Sequence, residues 1–204
     1  MIKKRNGLFI VFEGLDNSGS SVQATLLHSI LKKQGYRSFL TKEPTNSLIG
    51  GLLRAGLTGN WYADAYTRQL LFAADRAQHI NNEINQNLES GKIVICDRYK
   101  LSSIAYGSYR IKDTLWLEQI NNQFIDPDIT FLIDVDPKLC ALRIKKSEYS
   151  LNMYKEEKEL EIIWKVYLKY AKNDKKIHII DGQRDEMDVI NQITDIVKKR
   201  LETK

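Results

Sequence analysis

Residues 14–21 have the sequence Gly-Leu-Asp-Asn-Ser-Gly-Ser-Ser, with the glycine spacing of a phosphate-binding loop. The general pattern is Gly-x-x-x-x-Gly-Lys-Ser/Thr, which Gly14, Gly19 and Ser21 match, whereas Ser20 occupies the lysine position. In such a loop, consecutive backbone N–H groups surround an anion, and the N-terminus of the next helix adds partial positive charge. The loop is therefore predicted to bind phosphate even without the lysine.

The residues on either side of this loop predict a strand before it and a helix after it. Residues 8–12 form an apolar, β-branched run that suits a buried parallel strand and is too short for a membrane span. Apolar residues then recur at helical spacing up to Leu31, and Gly35 is placed to end the helix. An ordinary turn with two glycines is the less favoured alternative. The predicted phosphate-binding residues are Gly14, Asn17, Ser18, Gly19, Ser20 and Ser21, and the Ser21 hydroxyl is also predicted to contact magnesium.

Strand-like runs alternate with helical patterns along the rest of the chain. Candidate strands are residues 8–12, 38–41, 93–97, 129–135 and 177–180. The longest helical pattern runs from about residue 63 to residue 90, and an amphipathic helix covers about 187–201. This order predicts an α/β fold with a five-stranded parallel sheet flanked by helices, in which ligands bind beyond the carboxyl ends of the strands.

Length and composition fit a single domain over residues 1–204. The chain is 43% apolar, enough for one core, and its net charge of +5 suits a phosphate-handling enzyme as well as a nucleic-acid binder. We expect no signal peptide and no membrane span. Cys96 and Cys140 lack metal-ligand spacing and are expected to be buried thiols in a reducing compartment, without a disulfide. The three histidines form no metal or triad pattern and are expected to be structural.

Polar residues follow two further strands at the same predicted edge of the sheet. Lys42-Glu43-Pro44-Thr45 follows the second strand, and Asp97-Arg98-Tyr99 follows the third. An aspartate at a strand end can hold magnesium, and an adjacent arginine can bind phosphate and offset charge during phosphoryl transfer. Beside a phosphate loop this pair indicates a kinase, with a surface ion pair as the alternative.

Taken in order, five segments resemble the thymidylate kinases, a family of the nucleoside-monophosphate kinase group. The segments are Phe12-Glu13-Gly14-Leu15-Asp16, Thr41-Lys42-Glu43-Pro44, Leu71-Phe72-Ala73-Ala74-Asp75-Arg76, Gly91-Lys92-Ile93-Val94-Ile95-Cys96-Asp97-Arg98-Tyr99 and Pro127-Asp128-Ile129-Thr130. The resemblance implies a P-loop kinase fold with a short lid, usually a homodimer. It also implies conversion of ATP and dTMP to ADP and dTDP with magnesium.

The resemblance implies roles for individual residues. Phe72 would stack on thymine, and Arg76, one helical turn later, would donate to a thymine carbonyl. Asp16 would receive the sugar 3′-hydroxyl, Arg54 would bind the acceptor phosphate, and Arg98 would bridge the donor and acceptor phosphates. The implied dTMP-binding residues are Asp16, Glu43, Pro44, Arg54, Phe72, Arg76, Arg98, Ser102, Ser103 and Tyr106. The alternatives are core packing for Phe72 and a solvated charge for Arg76.

The segment after Arg98 is implied to lie beside the base and sugar. A Tyr106 ring packed against the 2′ carbon would exclude a ribose hydroxyl sterically, which is our hypothesis for a deoxynucleotide preference. Helix N-capping is the alternative role for Ser102 and Ser103.

Two departures from the family pattern remove cations. Ser20 replaces the loop lysine, and Met153-Tyr154-Lys155 stands near the position of a lid arginine in many relatives, within a lid at roughly 145–158. Loss of one stabilising donor typically costs about 100- to 1,000-fold in rate. The cations placed to compensate are Arg143, Lys145, Lys146 and Lys155. We assign Lys146 to catalysis with Asp97, Arg98 and Asp16, and Arg143 to ATP binding near adenine; a solvated, mobile loop is the alternative.

Together with the motifs, the resemblance implies a cytoplasmic dTMP kinase of dTTP biosynthesis that uses ATP and magnesium, with Ser21 and Asp97 as the metal residues. Expected partners are small-molecule nucleotides and a second copy of the chain, with no nucleic acid or membrane. Two alternatives remain: a non-catalytic nucleotide-binding paralogue, which would explain Ser20, and a kinase of another pyrimidine nucleotide or a deoxynucleoside. Ile104 leaves the choice between dTMP and dUMP open.

Overall fold

The computed structural model describes residues 6–146 and 156–203, and within them five strands form one all-parallel sheet. The strands are β1 (Leu8–Gly14), β2 (Ser38–Lys42), β3 (Ile93–Asp97), β4 (Ile129–Asp134) and β5 (Ile177–Asp181). Their order in the sheet is β2-β3-β1-β4-β5. The predicted fold class is confirmed. β1 runs two residues beyond its predicted end, because Glu13 and Gly14 still pair with β4.

Helices cover this sheet, and the predicted long helix is divided. Those described are α1 (Ser20–Lys33), α2 (Leu48–Leu57), α3 (Ala65–His79), α4 (Asn85–Glu89), α5 (Lys100–Arg110), α6 (Thr114–Asn122), α7 (Pro137–Lys146), α8 (Glu157–Ala171) and α9 (Glu186–Glu202). The pattern over 63–90 consists of α3, a π-helical turn at Ile80–Ile84, and α4. The Asp64 carboxylate caps α3 by accepting the Thr67 N–H at 3.0 Å, which explains why the helix starts at Ala65.

The core occupies both faces of the sheet. Leu8, Ile10 and Phe12 of β1 belong to a large buried cluster on one face, whereas Phe9 and Val11 belong to a smaller cluster on the other. Side chains alternate between faces along a strand, so a strand buried on both faces is apolar throughout. The two cysteines are buried thiols, as expected. Among the described residues, none of the helices combines the length and the apolar composition that a membrane span requires.

Strand register places the polar segments together. Asp97 at the end of β3 pairs with Phe12 of β1 on one side and with Lys42 of β2 on the other. The loop after β1, the turn after β2 and the segment after β3 therefore share one edge of the sheet.

Of the predicted lid, residues 147–155, with Met153, Tyr154 and Lys155 among them, lie outside the described residues.

Candidate active site

A cavity of about 320 Å³ lies at this edge of the sheet. The predicted site residues that line it are Asp16, Asn17, Ser21, Glu43, Pro44, Phe72, Arg76, Asp97, Arg98, Ser102, Ser103 and Tyr106. Leu57, Arg68, Gln69 and Tyr99 line it as well. The residues assigned to magnesium and to the base thus meet in one cavity with Arg98, the residue assigned to bridge the two phosphates, although five different segments contribute them.

The phosphate loop forms one end of this cavity. Gly19 caps α1 with φ 96°, a left-handed conformation that favours glycine. Ser21 Oγ donates to one Asp97 carboxylate oxygen at 2.5 Å, and Ser20 Oγ donates to the other at 3.3 Å. Two adjacent hydroxyls therefore bind the carboxylate that ends β3. Ser20 is only 4% exposed and contributes no positive charge to the loop.

Arg98 lies between the loop and α5. Its backbone is left-handed, with φ 67°, a conformation that is uncommon for residues other than glycine and is enriched at functional sites. The guanidinium donates to Asp16 Oδ1 at 2.5 Å, to the Gly14 carbonyl at 3.1 Å and to Ser102 Oγ at 3.2 Å. These bonds hold a charged side chain in the cavity wall next to the loop.

Glu13 is a fully buried carboxyl behind the loop, and no role was predicted for it. One carboxyl oxygen accepts the N–H groups of Tyr99 and Ser102 at 3.1 and 3.2 Å, and so caps the start of α5. The other oxygen accepts the Ser102 hydroxyl at 2.5 Å and the Tyr167 hydroxyl at 3.2 Å. Burial raises the pKa of Glu13 to about 7, against the opposing effects of the Ser102 hydrogen bond and the Arg98 charge.

Arg76 forms the deep wall of the cavity and is 1% exposed. Its Nε and Nη2 donate to Glu43 Oε2 at 2.9 and 2.6 Å, and Nη2 also donates to Ser103 Oγ at 2.9 Å. Nη1 donates to Asn121 of α6. The guanidinium carbon lies 5.1 Å from the centre of the Tyr99 ring. Buried arginines need such partners, and these fix the guanidinium at the cavity.

His79 extends this network away from the cavity. Its Nδ1 lies 3.0 Å from Glu43 Oε1, and its Nε2 lies 2.7 Å from Thr41 Oγ1. Glu43, His79 and Cys96 place their ligand-type atoms within 4.8 Å of one another. Glu43 is already paired with Arg76, and burial raises the Cys96 pKa well above its ordinary value, so the thiol is protonated. The expectation that this histidine is structural agrees with these contacts.

The remaining wall comes from α3 and α5. Phe72 is half-buried and lines the cavity one turn before Arg76. Tyr106 accepts the Asp16 backbone N–H at 2.8 Å, and the Arg98 guanidinium lies 5.4 Å from its ring centre. Burial, followed by the Asp16 charge, raises the Tyr106 pKa well above its ordinary value, so the phenol is neutral.

Several predicted residues lie outside the cavity lining. Arg54 of α2 donates from Nη1 to the Pro44 carbonyl at 3.2 Å and to the Thr45 carbonyl. Arg143 of α7 donates from Nη1 to the Asn17 carbonyl at 2.9 Å. The others outside the lining are Gly14, Ser18, Gly19, Ser20 and Lys146. Arg143 nevertheless contacts the phosphate loop, whereas Arg54 holds the turn after β2.

Sequence patterns could have indicated some of the residues that were missed. Arg68 precedes Phe72 by one helical turn, and Gln69 precedes it by three residues, so both belong to the face that carries Phe72 and Arg76. Glu13 is an acidic residue in an otherwise apolar strand, which is unusual enough to indicate a specific buried partner. No comparable pattern marks Leu57 or Asn121.

Comparisons of this sequence with known proteins consistently give one family. A family model described as thymidylate kinase matches residues 12–193. A probable thymidylate kinase of Pyrococcus abyssi is 40% identical over 203 residues, covering 96% of this chain and 98% of that protein. A probable thymidylate kinase of Thermococcus kodakarensis is 38% identical, covering 95% and 98%. A thymidylate kinase of Thermosipho melanesiensis is 35% identical, covering 96% and 100%.

Proposed function

The chain belongs to the thymidylate kinase family, and we propose that it phosphorylates dTMP to dTDP with ATP as the donor, within dTTP biosynthesis. The observation that carries this proposal is the single cavity that joins the phosphate loop to the wall formed by Phe72 and Arg76. A kinase of this kind needs both ends, because the acceptor must lie in line with the donor phosphates.

In the proposed reaction, an oxygen of the dTMP phosphate attacks the γ-phosphorus of ATP. A new P–O bond forms to dTMP, the bond from the γ-phosphorus to the β–γ bridging oxygen breaks, and ADP leaves with that electron pair. The chain positions the two nucleotides and offsets their negative charge. The loop N–H groups hold the donor phosphates, and Arg98 lies between the donor and acceptor phosphates. Asp16 fixes Arg98 through the 2.5 Å contact. In our proposal, Asp16 also receives the sugar 3′-hydroxyl.

Ser21 and Asp97 fit a magnesium ion. The ion prefers oxygen ligands, and these residues offer a hydroxyl and a carboxylate 2.5 Å apart at the loop. When bound there, magnesium would neutralise charge on the donor phosphates. The Ser20 hydroxyl, on the same carboxylate, keeps that group oriented toward the loop.

For the acceptor, Phe72 stacks on the base and Arg76 donates to a base carbonyl in our proposal. Arg76 is suited to this because Glu43 and Asn121 already fix its orientation and offset the cost of burying it. Arg54 remains our proposed residue for the acceptor phosphate, although it now donates to backbone carbonyls. Lys146 remains a proposed catalytic cation on the lid side.

A second copy of the chain is the proposed partner. Two apolar pairs at helical spacing, Leu48 with Leu52 on α2 and Tyr66 with Leu70 on α3, are exposed on neighbouring helices. Exposed apolar area of this kind is typical of an interface. We also propose a cytoplasmic location, where the two buried thiols would stay reduced.

Ser20, which stands at the position of the loop lysine, favours a second candidate function: a protein that binds nucleotides without catalysing phosphoryl transfer.

The test uses purified protein, magnesium and ATP with a panel of dTMP, dUMP, UMP, dCMP, AMP and thymidine, followed by chromatographic separation of products. We expect dTDP from dTMP at rates far above those of the other acceptors. Binding of ATP without a diphosphate from any acceptor would select the second candidate instead.

A further inference from the structure

The phosphate loop of this chain contains no cation of its own. Residues 14–21 include one acidic residue, Asp16, and neither lysine nor arginine. Ser20, at the position of the usual lysine, is buried and donates to Asp97. A triphosphate that binds here therefore needs positive charge from another element.

Two cations contact this loop among the described residues, Arg98 and Arg143. Arg98 is already paired with Asp16 at 2.5 Å. Arg143 donates one N–H to the Asn17 carbonyl at 2.9 Å, and no carboxylate of the described residues forms an ion pair with it. A guanidinium has five N–H donors, and within residues 6–146 and 156–203 only one of those of Arg143 is used, which leaves four for a phosphate. Lys145, two residues later, is instead paired with Glu156 at 3.5 Å.

Arg143 belongs to a helix that packs into the core. It lies in the last turn of α7, one turn after Cys140, which is buried in the core. Asn17, its partner in the loop, lines the cavity and has a left-handed φ of 62°. We propose that Arg143 supplies to the donor phosphates the positive charge that the loop lacks at Ser20. This inference rests on the proposed function for its catalytic part.

The test is a double-mutant cycle between positions 20 and 143. We would measure kcat, KM for ATP and the calorimetric Kd for ATP in wild type, Arg143→Gln, Ser20→Lys and the double variant. Arg143→Gln should lower kcat/KM for ATP about 100-fold or more and raise the Kd for ATP about 10-fold. In the Ser20→Lys background, the same substitution should cost less than about 10-fold in kcat/KM, because the lysine then supplies the charge.

Lys138→Gln is the matched control, since it removes one positive charge from the first turn of the same helix. It should change each constant less than about twofold. Arg143→Lys gives an independent reading if Ser20→Lys does not fold. It keeps the charge and should retain most of the ATP affinity that Arg143→Gln loses.

Equal losses from Arg143→Gln in both backgrounds would overturn the inference, because Arg143 would then act independently of position 20. An unchanged Kd for ATP in Arg143→Gln would overturn it as well. The Kd measurement separates this inference from the proposed function, since it can be made on a protein that forms no dTDP.

Discussion

At the scale of the residue, ionisable side chains in and behind the cavity wall hold its elements together. The Glu13 carboxyl connects β1 to the start of α5 through Tyr99 and Ser102. Arg98, at the end of β3, bonds the loop through Gly14 and Asp16. Because unpaired buried charges are costly, such groups lie where their partners are supplied together. The carboxyl of Glu13 has its pKa raised to about 7, which makes its contribution to stability depend on pH.

Glu13→Gln tests that dependence, because the amide resembles the protonated carboxyl. In the unfolded chain Glu13 loses its proton near its ordinary pKa of 4.5, whereas in the folded chain it keeps the proton up to about pH 7. The folded state therefore binds more protons between these values, and the wild type loses stability as pH rises through this window. Between pH 5 and pH 8, the free energy of unfolding of the variant should rise by about 2.5 kcal/mol relative to wild type, as measured by urea unfolding at each pH.

Asp64→Asn is the control for Glu13→Gln. Hydrogen bonds from Thr67 lower the Asp64 pKa, so this carboxylate is ionised at both pH values and its substitution should have the same effect at each. An identical stability difference at pH 5 and pH 8 for Glu13→Gln would mean that folding does not raise the Glu13 pKa.

Tyr106 carries the second prediction at this scale. If its ring excludes a 2′-hydroxyl, Tyr106→Ala should reduce the preference for dTMP over its ribose analogue by about tenfold or more, in kcat/KM. Tyr106→Phe keeps the ring and removes the hydroxyl that accepts the Asp16 N–H, so it should preserve the preference. An unchanged ratio in Tyr106→Ala would contradict the steric hypothesis.

At the scale of the element, the turn after β2 is held between α2 and α3. Asp75 of α3 accepts the Thr45 N–H at 2.8 Å and the Ser47 hydroxyl at 3.0 Å. Arg54 of α2 bonds the carbonyls of Pro44 and Thr45. The turn carries Glu43 and Pro44 into the cavity, so the packing of two helices determines the position of two site residues.

Gly50→Ala tests this packing. A Cβ at Gly50 would overlap the Thr45 carbonyl oxygen, so the turn or α2 must move. We expect a loss of stability of about 1–3 kcal/mol in thermal or urea unfolding, together with a raised KM for dTMP. Gly51→Ala is the matched control: the nearest atom to its Cβ is Arg54 Nη2 at 3.9 Å, and alanine favours the helix. Equal effects of Gly50→Ala and Gly51→Ala would contradict the inference that the close packing of Gly50 against the Thr45 carbonyl positions the turn.

At the scale of the whole molecule, the parts that were predictable from sequence are those governed by local pattern. The apolar runs predicted the strands to within two residues, and the glycine spacing predicted the loop between β1 and α1. The bond from Arg76 to Asn121 was not predictable, because it joins residues 45 positions apart with no pattern at Asn121. The π-helical turn at Ile80–Ile84 and the contacts of Arg54 likewise depend on packing between elements.

The exposed apolar face of α2 and α3 gives a prediction at this scale. In size-exclusion chromatography with light scattering, the 23.6 kDa chain should elute as a species of about twice that mass. The double variant Leu48→Glu with Leu70→Glu should elute as a monomer, because it places charge in the apolar interface. Met187→Glu, at a residue 56% exposed on α9, should leave the mass unchanged. A monomeric wild type would contradict the proposed homodimer.

The most direct test of the central claim is ³¹P NMR of the wild-type protein with magnesium, ATP and dTMP. Because γ-phosphoryl transfer links the two nucleotides, we predict that the ATP γ-phosphate and dTMP signals decline together while ADP and dTDP form in equal amounts. Persistence of both starting signals, with ATP and dTMP shown to be bound by equilibrium dialysis, would contradict the account. The chain would then have a nucleotide site without kinase chemistry.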